Sequence, residues 1–222
     1  MSGTQVSKKL PQQTTLIGFA GAPWTVATYM IEGGSSKDLS KSRALLNNKP
    51  QLFHSLLEKI TNSTIEYLKL QMNSGVDVIQ IFDSWGGALP KDLFWEGSAQ
   101  YMQQIIKSLS QDLPIIIYSK GSHDKINELK RIEGNVYGVD SSKSISQFYD
   151  DLGGKLAVQG NLDPDFMSTS PEIVKNETIK ILDEFGNRNG LIFNLGHGIK
   201  PDGKIECMQA LVETIKNYHK ES

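Results

Sequence analysis

Six short apolar runs in this sequence each end in residues equipped for chemistry. Gly21-Ala22-Pro23-Trp24-Thr25 follows the first, with Tyr29 shortly after it. Asp83-Ser84-Trp85 follows the second and Ser119-Lys120-Gly121 the third. Asp140-Ser141-Ser142 follows the fourth. The fifth ends in Gly160-Asn161-Leu162-Asp163-Pro164 and the sixth in Leu195-Gly196-His197-Gly198. Tyr29 and Ser84 offer hydroxyl donors, and His197 offers a donor that also carries charge when protonated. Each also has a plainer reading. His197 between two glycines fits a hydrogen-bonded turn, and Ser84 fits a cap on the segment after it. Asp83 fits a turn residue or a solvated charge. Tyr29, in an apolar stretch, fits the core. Asp163-Pro164 is a turn signal before it is an acid.

The runs themselves read as strands: Leu16–Ala20, Val76–Phe82, Pro114–Tyr118, Val136–Val139, Leu156–Gln159 and Leu191–Asn194. All are near-continuously apolar, which predicts strands buried on both faces. Helical spacing lies between them. Pro50 fits a first helical position, and Phe53, Leu56, Leu57, Ile60, Ile65, Leu68 and Met72 follow it before Gly75. Tyr101, Met102, Ile105, Ile106 and Leu109 mark a second helix, and Ile145, Phe148, Tyr149 and Leu152 a short third one ended by Gly153. Ser170-Pro171 reads as cap and first turn of a fourth, carrying Ile173, Val174, Ile181, Leu182 and Phe185 up to Gly186. Ile205, Met208, Leu211, Val212 and Ile215 mark the last.

Strand–helix alternation implies an α/β fold with a parallel sheet. Six strands fit an open doubly wound sheet, or six of the eight strands of a βα barrel, which typically takes about 250 residues. In both, ligands bind beyond the carboxyl ends of the strands, where the residues above collect. The bottom-up expectation is a small-molecule site there.

Composition narrows the classes. The chain has 222 residues, 38% hydrophobic and 22% charged, with a formal net charge of -2. This is a globular composition with no polycationic field to draw it to nucleic acid. One cysteine, Cys207, excludes an intrachain disulfide and any multi-cysteine metal cluster, and fits a reducing compartment. No apolar run nears the roughly 20 residues that span a bilayer. Met1 to Thr15 is polar and lacks the apolar centre of a secretory signal. The expectations are a cytoplasmic location, no membrane partner, a loose tail over residues 1–13 and one domain over residues 14–222. No metalloprotease helix, calcium loop, P-loop, dinucleotide fingerprint or nucleophile elbow is present. Gly33-Gly34-Ser35-Ser36 reads as a surface loop or a lid. His54, His123 and His219 lie in or near predicted outer helices and form no ligand set.

Four of these segments resemble uroporphyrinogen decarboxylases, the haem-pathway enzymes that trim four acetate side chains to methyls. They are Leu16 to Thr25 running into Thr28-Tyr29-Met30-Ile31-Glu32-Gly33-Gly34, then Ile81-Phe82-Asp83-Ser84-Trp85-Gly86-Gly87, Gln159-Gly160-Asn161-Leu162-Asp163-Pro164, and Asn194-Leu195-Gly196-His197-Gly198-Ile199. The resemblance runs from about Leu16 to the last helix. It implies a TIM-type βα barrel, incomplete here with six of eight βα units, a cleft at the strand ends, a homodimer, and no cofactor. It implies that Tyr29, Ser84 and His197 contact the carboxylates and core of uroporphyrinogen, and that Phe19 and Phe82 form part of an apolar wall.

The resemblance also marks departures. The family carries an Arg-rich segment and then a catalytic Asp in a Phe-Ser-Asp segment, both upstream of the match to Leu16. These 222 residues contain neither, and Phe82-Asp83-Ser84 aligns with a later strand. Asp140-Ser141 stands where the family usually has Asp-Trp. The expectation is therefore that no catalytic residue is retained and this chain alone is inactive. The alternative is a non-catalytic fragment that binds a tetrapyrrole or a partner. A corrinoid-dependent methyltransferase, which typically uses a zinc site of His and Cys ligands, is disfavoured by the single cysteine.

Overall fold

A computed structural model describes residues 9–11, 13–36, 38–109 and 113–218. The expected tail falls mostly on residues outside these. The chain divides into two compact units, Met1–Val136 and Tyr137–Ser222.

The first unit holds β1 (Ile17–Gly21), β2 (Val78–Asp83) and β3 (Ile115–Ser119), paired in parallel in chain order. Three helices connect β1 to β2: α1 (Pro23–Glu32), α2 (Ser40–Asn48) and α3 (Pro50–Asn73). The last follows the expected spacing closely. Pro50 sits at its first position, and Phe53, Leu57, Ile60, Thr61, Thr64, Ile65 and Leu68 are its buried stripe. α1 begins straight after β1, a helix that the spacing read from the sequence does not mark. Pro23 pre-sets the helical φ there, and Gly33 ends the helix in the left-handed conformation at φ 82°. The glycine-serine stretch after α1 is closed from the far side by Glu32, whose carboxylate accepts from the backbone N–H and hydroxyl of Ser42 at 2.8 Å each. α4 (Gln100–Ser108) follows a π-helical segment, Trp95–Ala99, and packs Met102, Ile105 and Ile106 inward. Trp24, Phe53, Leu57, Leu68, Ile79, Ile81 and Met102 are fully buried and make the core of this unit.

The second unit contains α5 (Ile145–Asp151), β5 (Ala157–Leu162), α6 (Pro171–Phe185), β6 (Leu191–Leu195) and α7 (Ile205–Asn217). The short strand β4, Val136–Gly138, straddles the boundary. β5 and β6 pair in parallel, Val158 opposite Leu191 through Leu162 opposite Leu195. Leu162, Met167, Val174, Cys207 and Leu211 form the core here, with Phe193, Leu195, Met208 and Ile215 against it. Cys207 is thus a buried packing residue of α7. Ser170 caps α6 and Gly186 ends it, as the sequence indicates.

Two strands depart from the expected burial on both faces. In β1, Gly18 and Ala20 are buried while Ile17 and Phe19 are exposed. In β6, Ile192 and Asn194 are exposed between half-buried neighbours. That alternation belongs to a strand covered on one face. An apolar run shows that a strand has apolar side chains, not that both of its faces find a cover.

Candidate functional site

In the first unit the ends of β1, β2 and β3 carry a row of aromatic rings. Phe19 and Phe82 meet edge to face with centroids 6.0 Å apart, and Phe82 and Tyr118 do the same at 5.9 Å. Phe19 is 59% exposed, far more than a core phenylalanine. Register explains the spacing, since Phe82 lies opposite Tyr118 on β3, and Phe19 lies opposite Gln80, two residues before Phe82 and on the same face of β2. Tyr118 was not singled out by its sequence position; its signal was that it closes the third apolar run.

Tyr29 stands on α1 and is 44% exposed, which removes the core reading. Its ring meets Trp85 at 6.4 Å, edge to face. Ser84 is half-buried and does not cap the following turn: the 3₁₀ segment Gly86–Ala88 is preceded by Trp85 and takes no side-chain cap. The structure therefore brings Tyr29 to the Ser84-Trp85 segment, and Phe19 to Phe82. The indole Nε1 of Trp85 is buried with no hydrogen-bond partner among the described residues.

Asp83 is neither a solvated charge nor a simple turn residue. It is fully buried. Thr25 Oγ1 donates to Oδ1 at 2.7 Å, Ser98 Oγ to Oδ2 at 2.7 Å, and Ser119 Oγ to Oδ2 at 3.3 Å. Burial pushes its carboxyl above the ordinary value, while the hydroxyls of Ser98, Thr25 and Ser119 pull it back. Gly86 is obligatory beside it, because a Cβ there would stand 2.3 Å from Asp83 Oδ2 and 2.2 Å from Ser119 Oγ. The sequence marks Ser98 only by the small residues Gly97-Ser98-Ala99 ahead of an amphipathic helix.

His197 belongs to the second unit and is exposed just past β6. Its backbone is fixed by its neighbour. Gly196 N–H donates to the Leu162 carbonyl at 2.7 Å, and a Cβ on Gly196 would lie 2.4 Å from Ser141 N. The close approach is made by backbone, with Asp140 C at 3.0 Å and Ser141 Cα at 3.1 Å beside it. Asn161 donates to the carbonyls of Asp140 and Lys143 at 3.0 and 2.6 Å, tying the ends of β4 and β5. Asp163 acts as a turn residue, accepting from Asp165 N–H at 2.9 Å.

The three arginines are engaged locally. Arg43 donates to the Ala88 carbonyl at 2.9 Å, Arg131 stacks on Trp95 at 3.4 Å, and Arg188 pairs through two nitrogens with Asp150. Of the histidines, His54 Nδ1 lies 2.8 Å from the Tyr101 hydroxyl, and His219 lies outside the described residues. Among the described residues, no group of three His, Cys, Asp or Glu side chains is arranged to hold a metal ion. No described helix is long and apolar enough to cross a membrane.

The fold matches known α/β proteins along nearly its full length. A methyltransferase from Methanosarcina mazei superposes with a TM-score of 0.82 at 19% identity, over 96% of this chain and 62% of that one. A B12-independent methionine synthase from Shewanella sp. W3-18-1 gives 0.65 at 17% identity, over 97% of this chain. These likenesses fix the architecture alone: a TIM-barrel-type α/β fold, with six strands among the described residues.

Sequence comparison makes the class specific. The family model described as uroporphyrinogen decarboxylase (URO-D) matches residues 3–218. The uroporphyrinogen decarboxylase of Alkalilimnicola ehrlichii is 38% identical over 225 residues, 97% of this chain and 62% of that protein. That of Coxiella burnetii is 39% identical over 216 residues, 95% of this chain and 60% of that protein. That of Pseudomonas syringae pv. tomato is 40% identical over 202 residues. The chain belongs to the uroporphyrinogen decarboxylase family, a family of carboxy-lyases. It spans about 60% of the length of these relatives.

Proposed function

We propose that this chain forms the carboxylate-contacting and wall-forming part of a uroporphyrinogen decarboxylase, which converts uroporphyrinogen III to coproporphyrinogen III. The observation that supports it most is the aromatic row at the strand ends, in which exposed Phe19 meets half-buried Phe82 and Phe82 meets buried Tyr118. An apolar wall at strand ends suits the flat pyrrole faces of a tetrapyrrole, and a phenylalanine as exposed as Phe19, backed by two further rings, fits a contact surface.

The chemistry sets what the site must supply. Loss of CO2 from an acetate leaves an electron pair on the methylene carbon. Protonating the adjacent ring carbon first makes a cationic iminium that accepts this pair as the C–C bond breaks. A second proton on the methylene carbon and loss of the ring proton then give the methylpyrrole. The site needs a proton source, an anion near the pyrrole N–H groups, and cationic donors for eight carboxylates. Tyr29 and Ser84 donate hydrogen bonds to carboxylates, and His197 donates to a propionate. Phe19 and Phe82 hold the macrocycle's apolar edge.

The anion and the arginine cluster are not among these 222 residues, whose three arginines have the local partners above. The 222-residue chain alone therefore binds but does not turn over. Loss of one preorganised electrostatic group commonly costs about 10²–10³ in rate. The same reading takes residues 14–222 as one barrel domain, working in the cytoplasm within a homodimer.

The test is decarboxylation of uroporphyrinogen followed by chromatography of the oxidised porphyrins. The purified chain is expected to match its Tyr29→Phe variant at background. Activity is expected on adding the part of the Alkalilimnicola ehrlichii relative that lies outside the match. Turnover by the chain alone above the Tyr29→Phe level overturns the inactivity. Failure to bind uroporphyrin, the air-stable octacarboxylate, overturns the site.

A further inference from the structure

Asp83 sits behind the residues proposed to meet substrate, and its bonds run to three separate segments. Thr25 lies in the first turn of α1, Ser98 in the π-helical segment before α4, and Ser119 at the end of β3. All three donate to the one buried carboxylate. The chain of contacts continues outward. Trp85 N–H donates to Thr25 Oγ1 at 3.2 Å, so the hydroxyl that donates to Asp83 also receives the backbone of the next residue but one. Trp24 Nε1, from the same turn of α1, donates to the Trp85 carbonyl at 2.9 Å. Thr28 Oγ1 donates to the Thr25 carbonyl at 2.7 Å, one residue before Tyr29. Trp85 then contacts the Tyr29 ring.

We propose that Asp83 is a positioning residue: through Thr25 it locks the first turn of α1 to the Ser84-Trp85 segment, and so sets where Tyr29 and Ser84 stand. A buried carboxylate costs stability unless every lone pair is used, and here its hydrogen bonds join segments far apart in sequence. An apolar residue in its place would fill the space and leave the Thr25 and Ser98 hydroxyls without this acceptor, while Ser119 keeps the Ser122 hydroxyl at 2.7 Å. The arrangement makes geometry rather than chemistry, since no oxygen of Asp83 is open to a ligand. Only the ligand part of the test rests on the function proposed above.

Three variants of the 222-residue chain test it: Asp83→Asn, Thr25→Val and Thr25→Ser. Leu68→Ala, a core deletion in α3, serves as a control of comparable stability loss. The first readout needs no ligand: it is the near-ultraviolet circular dichroism assigned to Trp85 by subtraction of Trp85→Phe. Asp83→Asn and Thr25→Val are expected to lose that band with an unchanged far-ultraviolet spectrum. Thr25→Ser, which keeps the hydroxyl, and Leu68→Ala are expected to keep it. The second readout is uroporphyrin binding. Asp83→Asn and Thr25→Val are each expected to weaken it about tenfold, the scale of one lost hydrogen bond to a charged group, and Thr25→Ser to leave it within about twofold. An unchanged Trp85 band in Asp83→Asn overturns the inference, and so does its equal loss in Leu68→Ala. Should Asp83→Asn not fold, the contrast between Thr25→Val and Thr25→Ser decides alone. A wild-type chain that does not bind uroporphyrin overturns the proposed function, while the dichroism still decides the role of Asp83.

Discussion

Gln71 of α3 lies along β1 as a neighbouring strand would. Its Nε2 donates to the Phe19 carbonyl at 2.9 Å, and its Oε1 accepts the Phe19 N–H at 2.8 Å. The pair satisfies both backbone groups of a residue that points them away from β2. Gly18 permits this, since a Cβ there would stand 2.5 Å from Gln71 Oε1. Among the described strands β1 ends the sheet, and open strand edges template pairing with other chains; the Gln71 amide occupies the two backbone groups that Phe19 would otherwise present. Gln71→Ala is expected to lower stability by about 1–2 kcal/mol, the worth of two partly exposed hydrogen bonds. It is also expected to raise self-association. Light scattering and a urea melt check both, and a variant as soluble and as stable as the parent contradicts the role.

Asp83 gives the stability a pH signature. Its folded carboxyl titrates above the unfolded value of 3.8, mainly through burial. The folded state therefore binds more protons between those two values, and stability falls as pH rises through that window. Urea melts from pH 4 to 7 are expected to show the parent losing stability relative to Asp83→Asn as pH rises. A difference that stays constant, or that grows the other way, removes this account.

Tyr101 titrates late. Desolvation, then the charges of Glu58 and Glu96, push it up to about 12. Its raised value means that the folded state keeps a proton that the unfolded chain releases, so this residue's contribution to stability fades as pH rises from 10 towards that value. Absorbance at the tyrosinate band is expected to show a late step that Tyr101→Phe removes. An unchanged late step assigns it to another tyrosine.

Gly196→Ala is the sharpest backbone test in the second unit. The added Cβ meets Ser141 N at 2.4 Å, and backbone cannot move aside as a side-chain tip would. A cost of about 1–3 kcal/mol is expected, typical of overpacking. Because the shift acts on the residue before His197, weakened uroporphyrin binding is expected with it. A fully stable variant with intact binding shows that the loop yields freely.

Tyr29→Phe and His197→Ala each remove one hydrogen-bond donor from exposed positions. Each is expected to reduce affinity for uroporphyrin about tenfold, that is about 1.4 kcal/mol, with little change in the melt. Affinity within twofold of the parent for both removes them from the site.

Much of this protein follows from local pattern. The Phe53 to Leu68 stripe with Pro50 ahead of it specifies α3, and Ser170-Pro171 with Gly186 specifies α6. Six apolar runs specify the strands, with every end within three residues. These features are legible because helix and strand periods are set by neighbours three, four or two positions away. The segments proposed as the site are visible in the sequence too, because strand ends are where an α/β fold displays its polar groups.

Asp83, Gln71 and Phe19 mark where that legibility stops. Nothing local separates a buried Asp83 from a solvated one; the difference is Thr25, Ser98 and Ser119 converging from 58, 15 and 36 positions away. Gln71 reads as an ordinary polar helix residue until Phe19, 52 positions earlier, is placed beside it. From its apolar run alone Phe19 reads as a core strand residue, and only the family resemblance reads it as a wall; in the structure β1 is covered on one face. Sequence carries periods and caps because those are short-range. Burial, pairing partners and the state of a carboxyl are settled by which distant residues arrive, and that is a property of packing in three dimensions.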